Sequence, residues 1–582
     1  MLARRSRGPA SLLPVLVTVL LLWPTLWVGY LSDDFLFLAW SRQDVLLSKL
    51  SLGSYPQVLR PLAAVLWALP AAVPAGVRHA LCILLHAANA TLVSELVGIS
   101  GQKRLGVLLG CLFAAAPWTL EATAWVSGAV DPLATLFCLL ALRGLIAHGK
   151  RWIGWTIVLY LLALLCKESA FTLPVVAWIL IGRRARGAVV GMGVVGAVYV
   201  GVRLILFQGV GGYATGDLPT VLSYAESVAV LLVPFKSALP ASVGLAVVST
   251  GLLTLAAEPL RRPRNYRWWL RVLLAFVAAV LPVLPVLAVG WDHQGGRFLY
   301  LPLAVGLVAF GLVRPQGGST AAPSLFVLLA LWSAATVYHV QDWVAAGRIA
   351  GATLDAVAGS QALAGSTLLV AVPETFRGAY VFRNGLAEAA AMSSRIERRS
   401  RVVRGIAAAE GPSAGDRLGS SLFVVQPILN ASGVDLTAFE IALRSDPPAD
   451  DELADLGMAD RFTANVAAPP GFPPVVWLHA VGCRGGGESV DGTLYWRGDG
   501  GGLSTTQARE FDLVPGAEAV PVWLPSCHQP RTLSIRIDLD RTCTLKMTRT
   551  TPRLLRRLPP PETAEIYDDC RGLWRWSVGG WG

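Results

Sequence analysis

Two adjacent carboxylates stand directly after the first apolar run of the chain. Asp33 and Asp34 follow an apolar stretch that extends from Ser11 to Leu31. Neighbouring carboxylates in a cleft that excludes water could act as a general base or hold a divalent cation. The alternative is an exposed turn at a helix end, without chemistry. We predict that this pair carries catalysis.

Three basic side chains beside apolar segments are candidates for binding a phosphate group. They are Arg60, which precedes a proline, Lys167, which precedes Glu168, and Arg297, which follows two glycines. A guanidinium suits phosphate because it presents paired N–H donors in a planar fork. The alternatives are a local ion pair between Lys167 and Glu168 at a tight turn, and arginines that extend to the lipid headgroups.

Further ionisable residues lie at the ends of apolar segments, where they are costly and commonly functional. They are His79, His86, Glu121, Asp131, Glu168, Asp292 and His293. His79 and His86 are seven residues apart and could share a helix face, to which Asp292 and His293 could add a metal ligand. Glu121 could instead anchor a tryptophan-rich interfacial loop. These residues do not identify a metal or a cofactor. A divalent cation is one candidate.

The composition indicates what must position these side chains. Of 582 residues, 54% are hydrophobic and only 15% are charged, and the mean hydropathy is +0.55. Uncharged stretches of about 20 residues can cross a bilayer as helices, in which the backbone satisfies its own polar groups. The net charge of +11 is concentrated in short basic clusters between apolar stretches. This pattern is typical of positive-inside topology, so we predict no nucleic-acid partner.

The apolar stretches predict an α-helical, polytopic membrane domain of about eleven transmembrane helices. The predicted spans are 11–31, 78–98, 104–117, 130–147, 152–166, 171–182, 187–208, 241–257, 269–290, 297–313 and 323–340. A cleaved signal peptide is the alternative for the first. Residues 221–235 are predicted as an interfacial or re-entrant helix, because a span there would place the basic cluster at 261–271 outside. The N-terminus is then cytoplasmic and the C-terminus extracytoplasmic.

The remainder of the chain has a different pattern. We predict a membrane domain over residues 1–342, a mixed α/β connecting region over 343–419 and an extracytoplasmic β-sandwich or jelly roll over 420–582. Leu368–Val372 reads as a buried strand, and apolar residues alternate with polar ones over 533–539 and 545–547. Cys483, Cys527, Cys543 and Cys570 permit two disulfides in three possible pairings, which suits an oxidising compartment.

Taken in chain order, the polar elements of residues 10–345 resemble the multi-spanning GT-C glycosyltransferases. The closest likeness is to the protein O-mannosyltransferases that carry tetratricopeptide repeats and to their bacterial family-39-like relatives. The elements are the acidic pair, Arg60-Pro61-Leu62, His79 with His86, Pro117 to Glu121, Ser127-Gly128 with Asp131, Lys167-Glu168, and Arg297 to Pro302.

The resemblance implies an inverting hexosyl transfer at the outer face of a bacterial inner membrane. The implied partners are a polyprenyl-phosphate-linked sugar donor, membrane lipid, and a protein, lipid or cell-surface glycan acceptor. Asp33 would deprotonate the acceptor hydroxyl with support from Asp34. Arg60, Lys167 and Arg297 would neutralise the leaving lipid phosphate, because positive charge is needed where negative charge develops.

The sequence departs from the family pattern at three positions. Cys82 stands where the family has Asn, Ala116 where it has His, and Ala129 where an arginine often follows the Ser-Gly pair. No tetratricopeptide repeats follow; the C-terminal strands instead resemble carbohydrate-associated β-sandwiches of bacterial cell-surface enzymes. Two other functions stay open: a non-catalytic scaffold for envelope glycan assembly, and a lipid or glycolipid transporter.

Overall fold

The structure is a computed structural model of the chain. The structure describes residues 12–45, 59–67, 73–207, 266–287, 293–313, 322–359, 367–370, 375–392, 401–404, 422–430, 433–442, 454–467, 475–484, 490–497, 508–513, 520–523, 532–548 and 553–557, together with five single residues between these ranges. Asp292, Cys527 and Cys570 lie outside the described residues, as do the predicted span 241–257 and nearly all of the predicted interfacial helix 221–235.

The chain divides into two compact units. The first comprises Met1–Gly347 and Thr375–Tyr380, and the second comprises Arg348–Glu374 and Val381–Gly582. The α-helices, in chain order, are α1 (Leu13–Leu22), α2 (Asp33–Arg42), α3 (Ala75–Ile99), α4 (Lys103–Ala114), α5 (Leu120–Ala124), α6 (Val130–His148), α7 (Ile153–Cys166), α8 (Leu173–Ile181), α9 (Arg186–Phe207), α10 (Tyr266–Val280), α11 (Tyr300–Val313), α12 (Ala322–Gly359) and α13 (Leu386–Met392).

The first unit is a bundle of apolar helices. Among the described residues, six helical runs are long and apolar enough to cross a membrane, or seven if the bent pair 103–114 and 117–124 is one span. Two of the six, 126–166 and 168–207, contain a glycine with positive φ, Gly149 at +58° and Gly182 at +68°, and each includes two of the predicted spans. The helical character and the multiple spans are therefore confirmed, whereas the number eleven stays a prediction.

The first predicted span is shorter than expected. Helix α1 continues as a 3₁₀ turn only to Trp27, so the helical run covers residues 13–27. That length falls below the roughly 20 residues that a straight transmembrane helix needs. Pro24 lies in the 3₁₀ turn, where its missing N–H weakens helix continuation.

Exposed apolar side chains mark the outside of the helical bundle. On α9, Val190, Val194 and Val198 are each 60% exposed. Their four-residue spacing places them on one face of the helix. A contiguous apolar stripe of this kind is rare on a soluble monomer, but it is compatible with lipid. This stripe agrees with a membrane location for the first unit.

Small residues allow the helices at the centre to approach closely. A Cβ atom on Gly106 of α4 would lie 2.5 Å from the carbonyl oxygen of Ser94 in α3, and one on Gly110 would lie 2.7 Å from that of Ala90. Gly106 and Gly110 form a small-xxx-small pattern, which is typical of close helix pairs in membranes. This contact fixes α4 against α3, the helix that carries both candidate histidines.

The second unit contains two larger sheets built from β1 (Thr367–Val370), β4 (Arg401–Arg404), β5 (Leu422–Asn430), β6 (Gly433–Ala442), β7 (Ala454–Ala467), β8 (Val475–Cys483), β9 (Val490–Arg497), β10 (Ala508–Leu513), β11 (Val520–Trp523), β12 (Thr532–Thr548) and β13 (Arg553–Arg557). One has the order β13-β6-β5-β1-β4, in which β1 runs parallel to both neighbours. The other is antiparallel, with the order β10-β9-β12-β8-β11 and β7 paired to β12. In the first unit, two short strands, β2 (Thr375–Phe376) and β3 (Ala379–Tyr380), pair as a hairpin.

The observed strands refine the sequence-based prediction. The two alternating stretches at 533–539 and 545–547 belong to the single long strand β12. Strands from both sides of residue 420 share the mixed sheet, and α12 continues through residue 342. The prediction that the C-terminal region consists mainly of β-strands is confirmed. The sandwich or jelly-roll arrangement stays a prediction, as do the domain boundaries.

The described residues of the second unit contain one disulfide. It joins Cys483 to Cys543, which are directly opposite each other on β8 and β12. The sequence left three pairings of the four cysteines open, and this bond belongs to one of them. It closes a segment of 60 residues, for which the chain-entropy model gives about 4 kcal/mol of stabilisation.

A substitution at Gly347 tests the packing of α12 within the first unit. A Cβ atom at Gly347 would overlap the backbone carbonyl of Val28, whereas one at Gly351, one turn further along the same helix, meets open space. We expect Gly347→Ala to destabilise the protein by about 1–3 kcal/mol through overpacking. The matched Gly351→Ala should stabilise it by about 0.5–1 kcal/mol. Thermal unfolding in detergent would measure both, and equal melting temperatures would contradict this packing.

Candidate active site

Asp34 holds the start of α2 against the loop that follows α5. Its Oδ2 accepts a hydrogen bond from the Leu31 amide at 3.0 Å, and its Oδ1 accepts bonds from the amide and the hydroxyl of Ser127 at 2.8 and 2.5 Å. The Trp125 indole donates to the Leu31 carbonyl at 3.1 Å. Ser127 belongs to the Ser-Gly pair of the sequence motif, and this contact gives that pair a physical role.

The two carboxylates of the acidic pair have different surroundings. Asp34 is fully buried, and burial raises its pKa to about 7, although the hydrogen bonds from Ser127 and Leu31 lower it. Asp33 occupies the first turn of α2 and is half-buried. The oxygens of Asp34 accept three hydrogen bonds from the protein, so this carboxylate holds the start of α2 in place.

Glu121 and Arg297 form the first of three ion pairs at the site. Arg297 Nε lies 3.2 Å from Glu121 Oε1, and the Arg297 amide donates to Oε2 at 3.3 Å. Tyr380 donates its hydroxyl proton to Oε1 at 3.0 Å. The Arg297 guanidinium also lies 4.9 Å from the centroid of the Trp125 ring. Arg297 is thereby tied to the same loop that holds Asp34.

Lys167 and Asp131 form the second pair. Lys167 Nζ lies 2.5 and 2.6 Å from the two carboxylate oxygens of Asp131, and both side chains are buried. Lys167 Nζ is also 5.1 Å from the centroid of the Phe298 ring, and so is the guanidinium carbon of Arg297. Phe298 therefore connects two of the predicted phosphate-binding cations, which lie no more than about 10 Å apart.

Arg60 and Glu168 form the third pair, and Arg203 also approaches Glu168. Arg60 Nε donates to Glu168 Oε2 at 3.0 Å and Nη2 donates to Oε1 at 2.5 Å, a bidentate arrangement that is strong and directional. Arg203 Nη1 approaches Glu168 Oε2 at 3.8 Å and donates to the Tyr199 hydroxyl at 3.2 Å. Lys167 and Glu168 do not form the local ion pair that was the alternative reading of the sequence. Each pairs with a residue that is remote in sequence.

The two histidines of α3 have structural contacts. His79 Nε2 donates to the Gly29 carbonyl at 2.7 Å. His86 Nδ1 lies 2.7 Å from the Tyr300 hydroxyl, and the oxygen of that hydroxyl accepts a hydrogen bond from Asn89 at 3.2 Å. In the described part of the chain, no group of three His, Cys, Asp or Glu side chains is arranged to hold a metal ion. The proposed third ligand Asp292 lies outside that part.

His293 lies at a different place from those histidines. Its ring centroid is 4.3 Å from that of His339 and 6.3 Å from that of Trp118. His339 Nδ1 is 3.5 Å from Asp342 Oδ2, and Arg377 Nη1 is 3.3 Å from Asp342 Oδ1. These residues form a second polar group, which borders Glu121.

Sequence reasoning missed several residues that organise the site. Arg78 is buried and donates to the Tyr30 hydroxyl and to the carbonyls of Leu66 and Leu69 at 2.8–3.0 Å, so it fixes the segment that follows Arg60. Arg203 near the end of α9 was also missed. An isolated arginine inside an apolar helix is the signal that could have found both, because a charge there needs a partner.

The positions that depart from the family pattern are filled by core packing. Cys82, Ala116 and Ala129 are each no more than 1% exposed. Small apolar side chains therefore occupy places where the resemblance would put amide, imidazole or guanidinium groups. The two alanines contribute no hydrogen-bonding side chain, and the thiol of Cys82 is only a weak hydrogen-bonding group.

Comparisons with known proteins give only a structural likeness. No family model and no curated protein matches the sequence. The structure is similar to the oligosaccharyltransferase of Archaeoglobus fulgidus, with 10% identity, a TM-score of 0.40, and coverage of 95% of this chain and 97% of that chain. It is also similar to the arabinosyltransferase EmbB of Mycobacterium smegmatis, with 12% identity, a TM-score of 0.29, and coverage of 91% and 64%.

The buried pair of Lys167 and Asp131 gives a direct test of the site geometry. Lys167→Met leaves Asp131 buried without its cation, so we expect a loss of about 3–5 kcal/mol in stability. Adding Asp131→Leu should restore most of it, because the uncompensated charge is gone. Thermal unfolding of the two variants measures the coupling.

The control for this experiment is the partly exposed pair of Arg143 and Glu95, whose nitrogen and oxygen are 2.8 Å apart. Arg143→Met should cost no more than about 1 kcal/mol, since exposed pairs contribute little. A double variant of Lys167 and Asp131 that is no more stable than Lys167→Met alone would contradict the pairing.

Proposed function

We propose that the protein is a membrane glycosyltransferase that moves a sugar from a polyprenyl-phosphate-linked donor to an acceptor hydroxyl at the extracytoplasmic face, with inversion at the anomeric carbon. In this proposal the acidic pair supplies the base, and the cations receive the leaving phosphate. In this mechanism the acceptor oxygen attacks the anomeric carbon while the bond from that carbon to the phosphate oxygen breaks. The acceptor proton goes to a carboxylate, and the lipid phosphate leaves.

The observation that carries this proposal is the concentration of cations around Phe298 and Glu168. The cluster contains Lys167, Arg297, Arg60 and Arg203. Its carboxylates are Asp131, Glu168 and Glu121. The seven named side chains thus carry one more positive charge than negative. A leaving phosphate needs fixed positive charge in a dry site, where such interactions are strongest.

Asp33 is proposed as the base that takes the acceptor proton. It lies beside Asp34, whose hydrogen bonds to Ser127 and Leu31 hold the first turn of α2 in place. The Trp125 indole connects this turn to Arg297. Asp34 is therefore proposed as a positioning residue, and the loop that contains Trp125 and Ser127 contacts both the turn that carries Asp33 and the cation Arg297.

A non-catalytic scaffold in envelope glycan assembly is the second candidate. The observation that favours it is that Arg60, Lys167 and Arg297 each have a carboxylate partner, so each charge is already compensated. A catalytic site needs these pairs to rearrange when the donor binds. A scaffold needs them only to hold the helices together.

The test is release of polyprenyl phosphate from a panel of polyprenyl-phosphate-linked sugars by membranes that contain the full-length protein. We expect release by the wild type and a fall of at least about 100-fold in Asp33→Asn, since a general base contributes 10²–10⁴-fold. The matched control is Asp44→Asn, which changes an exposed carboxylate just beyond the other end of α2. Its activity should equal that of the wild type.

Two results would count against the proposal. Full activity in Asp33→Asn would remove the assigned base. No release from any donor by folded wild type would favour the scaffold.

A further inference from the structure

Two basic turns of the first unit share a sequence pattern and a conformation. Each begins with a glycine that two basic residues follow, as Gly149-Lys150-Arg151 and Gly182-Arg183-Arg184. Both glycines have positive φ. Each glycine opens a 3₁₀ turn between two helices, Gly149–Trp152 between α6 and α7, and Gly182–Ala185 between α8 and α9. The same local structure therefore presents a pair of basic residues twice.

The packing of α7 against α9 brings these two turns together. A Cβ atom on Gly187 of α9 would lie 3.1 Å from Ile153 Cδ1 of α7, and one on Gly191 would overlap Ile157 Cδ1. The residue numbers rise together along the two helices, so α7 and α9 run in the same direction. They begin at the same end of the bundle, where the turns that precede them contact each other.

The joined turns form a basic surface with five exposed side chains, which are Lys150, Arg151, Arg183, Arg184 and Arg186. In the part of the chain that the structure describes, no carboxylate forms an ion pair with any of the five. The three predicted phosphate-binding cations, by contrast, each have a carboxylate partner. The basic surface therefore presents its positive charge to a ligand from outside the bundle.

Exposed apolar side chains begin directly beside the basic surface. Trp155 of α7 is 63% exposed, and Val190 of α9 is 60% exposed. Val190 follows Arg186 by one helical turn and so lies on the same face of α9. A ligand at this place meets positive charge at one end and an apolar helix surface along its length. A phospholipid with an acidic headgroup has both matching parts, whereas a free phosphate has only one.

We propose that the basic surface binds the headgroup of one anionic phospholipid, whose acyl chains lie along α7 and α9. Basic pockets between transmembrane helices are suited to acidic headgroups, and arginine presents paired donors to phosphate oxygens. Positive-inside topology requires only that basic residues lie on one side of the membrane. It does not require two separate turns to join five of them in one surface.

This lipid site is independent of the proposed glycosyltransferase function, because none of its five cations belongs to the candidate active site. The test is native mass spectrometry of the full-length protein in detergent, titrated with phosphatidylglycerol or with zwitterionic phosphatidylcholine. We expect one phosphatidylglycerol to bind at least about tenfold more tightly than phosphatidylcholine. Each Lys or Arg near an anionic headgroup strengthens binding by about fivefold.

Two double variants test whether the turns form a single site. Lys150→Gln with Arg151→Gln removes the charges of the first turn, and Arg183→Gln with Arg184→Gln removes those of the second. We expect either double variant to weaken the tightly bound phosphatidylglycerol at least about tenfold. The fourfold variant should lose one tightly bound lipid. The loss of two would show separate sites and would contradict the proposal.

The matched control is Lys103→Gln with Arg104→Gln, which removes two exposed charges at the start of α4. It should retain the tightly bound phosphatidylglycerol, and thermal unfolding should show that all variants are folded. Three further results overturn the proposal: equal affinity of the wild type for both lipids, undiminished binding by the folded double variants, or an equal loss in the control. Displacement of the lipid by an equal concentration of glycerol 3-phosphate would show a site for free phosphate instead.

Discussion

Charge compensation in an apolar helical bundle is the constraint on which the rest of this structure depends. Removing an ion from water costs several kcal/mol, and a buried partner must offset that cost. Asp131 of α6 compensates the charge of Lys167, and Glu168 compensates that of Arg60. These partners come from separate segments, so satisfying the charges also fixes how the helices and their connecting loops are arranged.

The sequence predicted the parts of the fold that have a local signal. Hydropathy located apolar helices, and alternation located β12, because these patterns depend on neighbouring residues alone. The ion-pair partners of the charged residues could not be predicted from such local patterns. Lys167 and Glu168 are adjacent and oppositely charged, yet each binds a residue far along the chain. Asp342 lies two residues beyond the predicted span 323–340, and its partner Arg377 comes from a hairpin without a distinctive pattern. Contacts between distant segments depend on packing, which a single sequence does not specify.

The same compensation shapes the proposed chemistry. A phosphate entering the site would compete with Asp131, Glu168 and Glu121 for their cations, so its affinity depends on how readily those pairs rearrange. The carboxylates hold the cations in place before a donor arrives, which reduces the cost of organising the site. The acidic pair is positioned by the hydrogen bonds of Asp34 to Ser127, and Trp125 of the same loop contacts Arg297. This loop therefore connects the proposed base to the proposed phosphate site.

The most direct measurement is a cryo-EM structure of the full-length protein in nanodiscs with a bound polyprenyl phosphate. We expect the phosphate to lie within hydrogen-bonding distance, about 3 Å, of at least one of Arg60, Lys167 and Arg297, with Asp33 facing it across the site. A phosphate bound elsewhere, with the three ion pairs unchanged, would contradict the assignment of these cations to the leaving group.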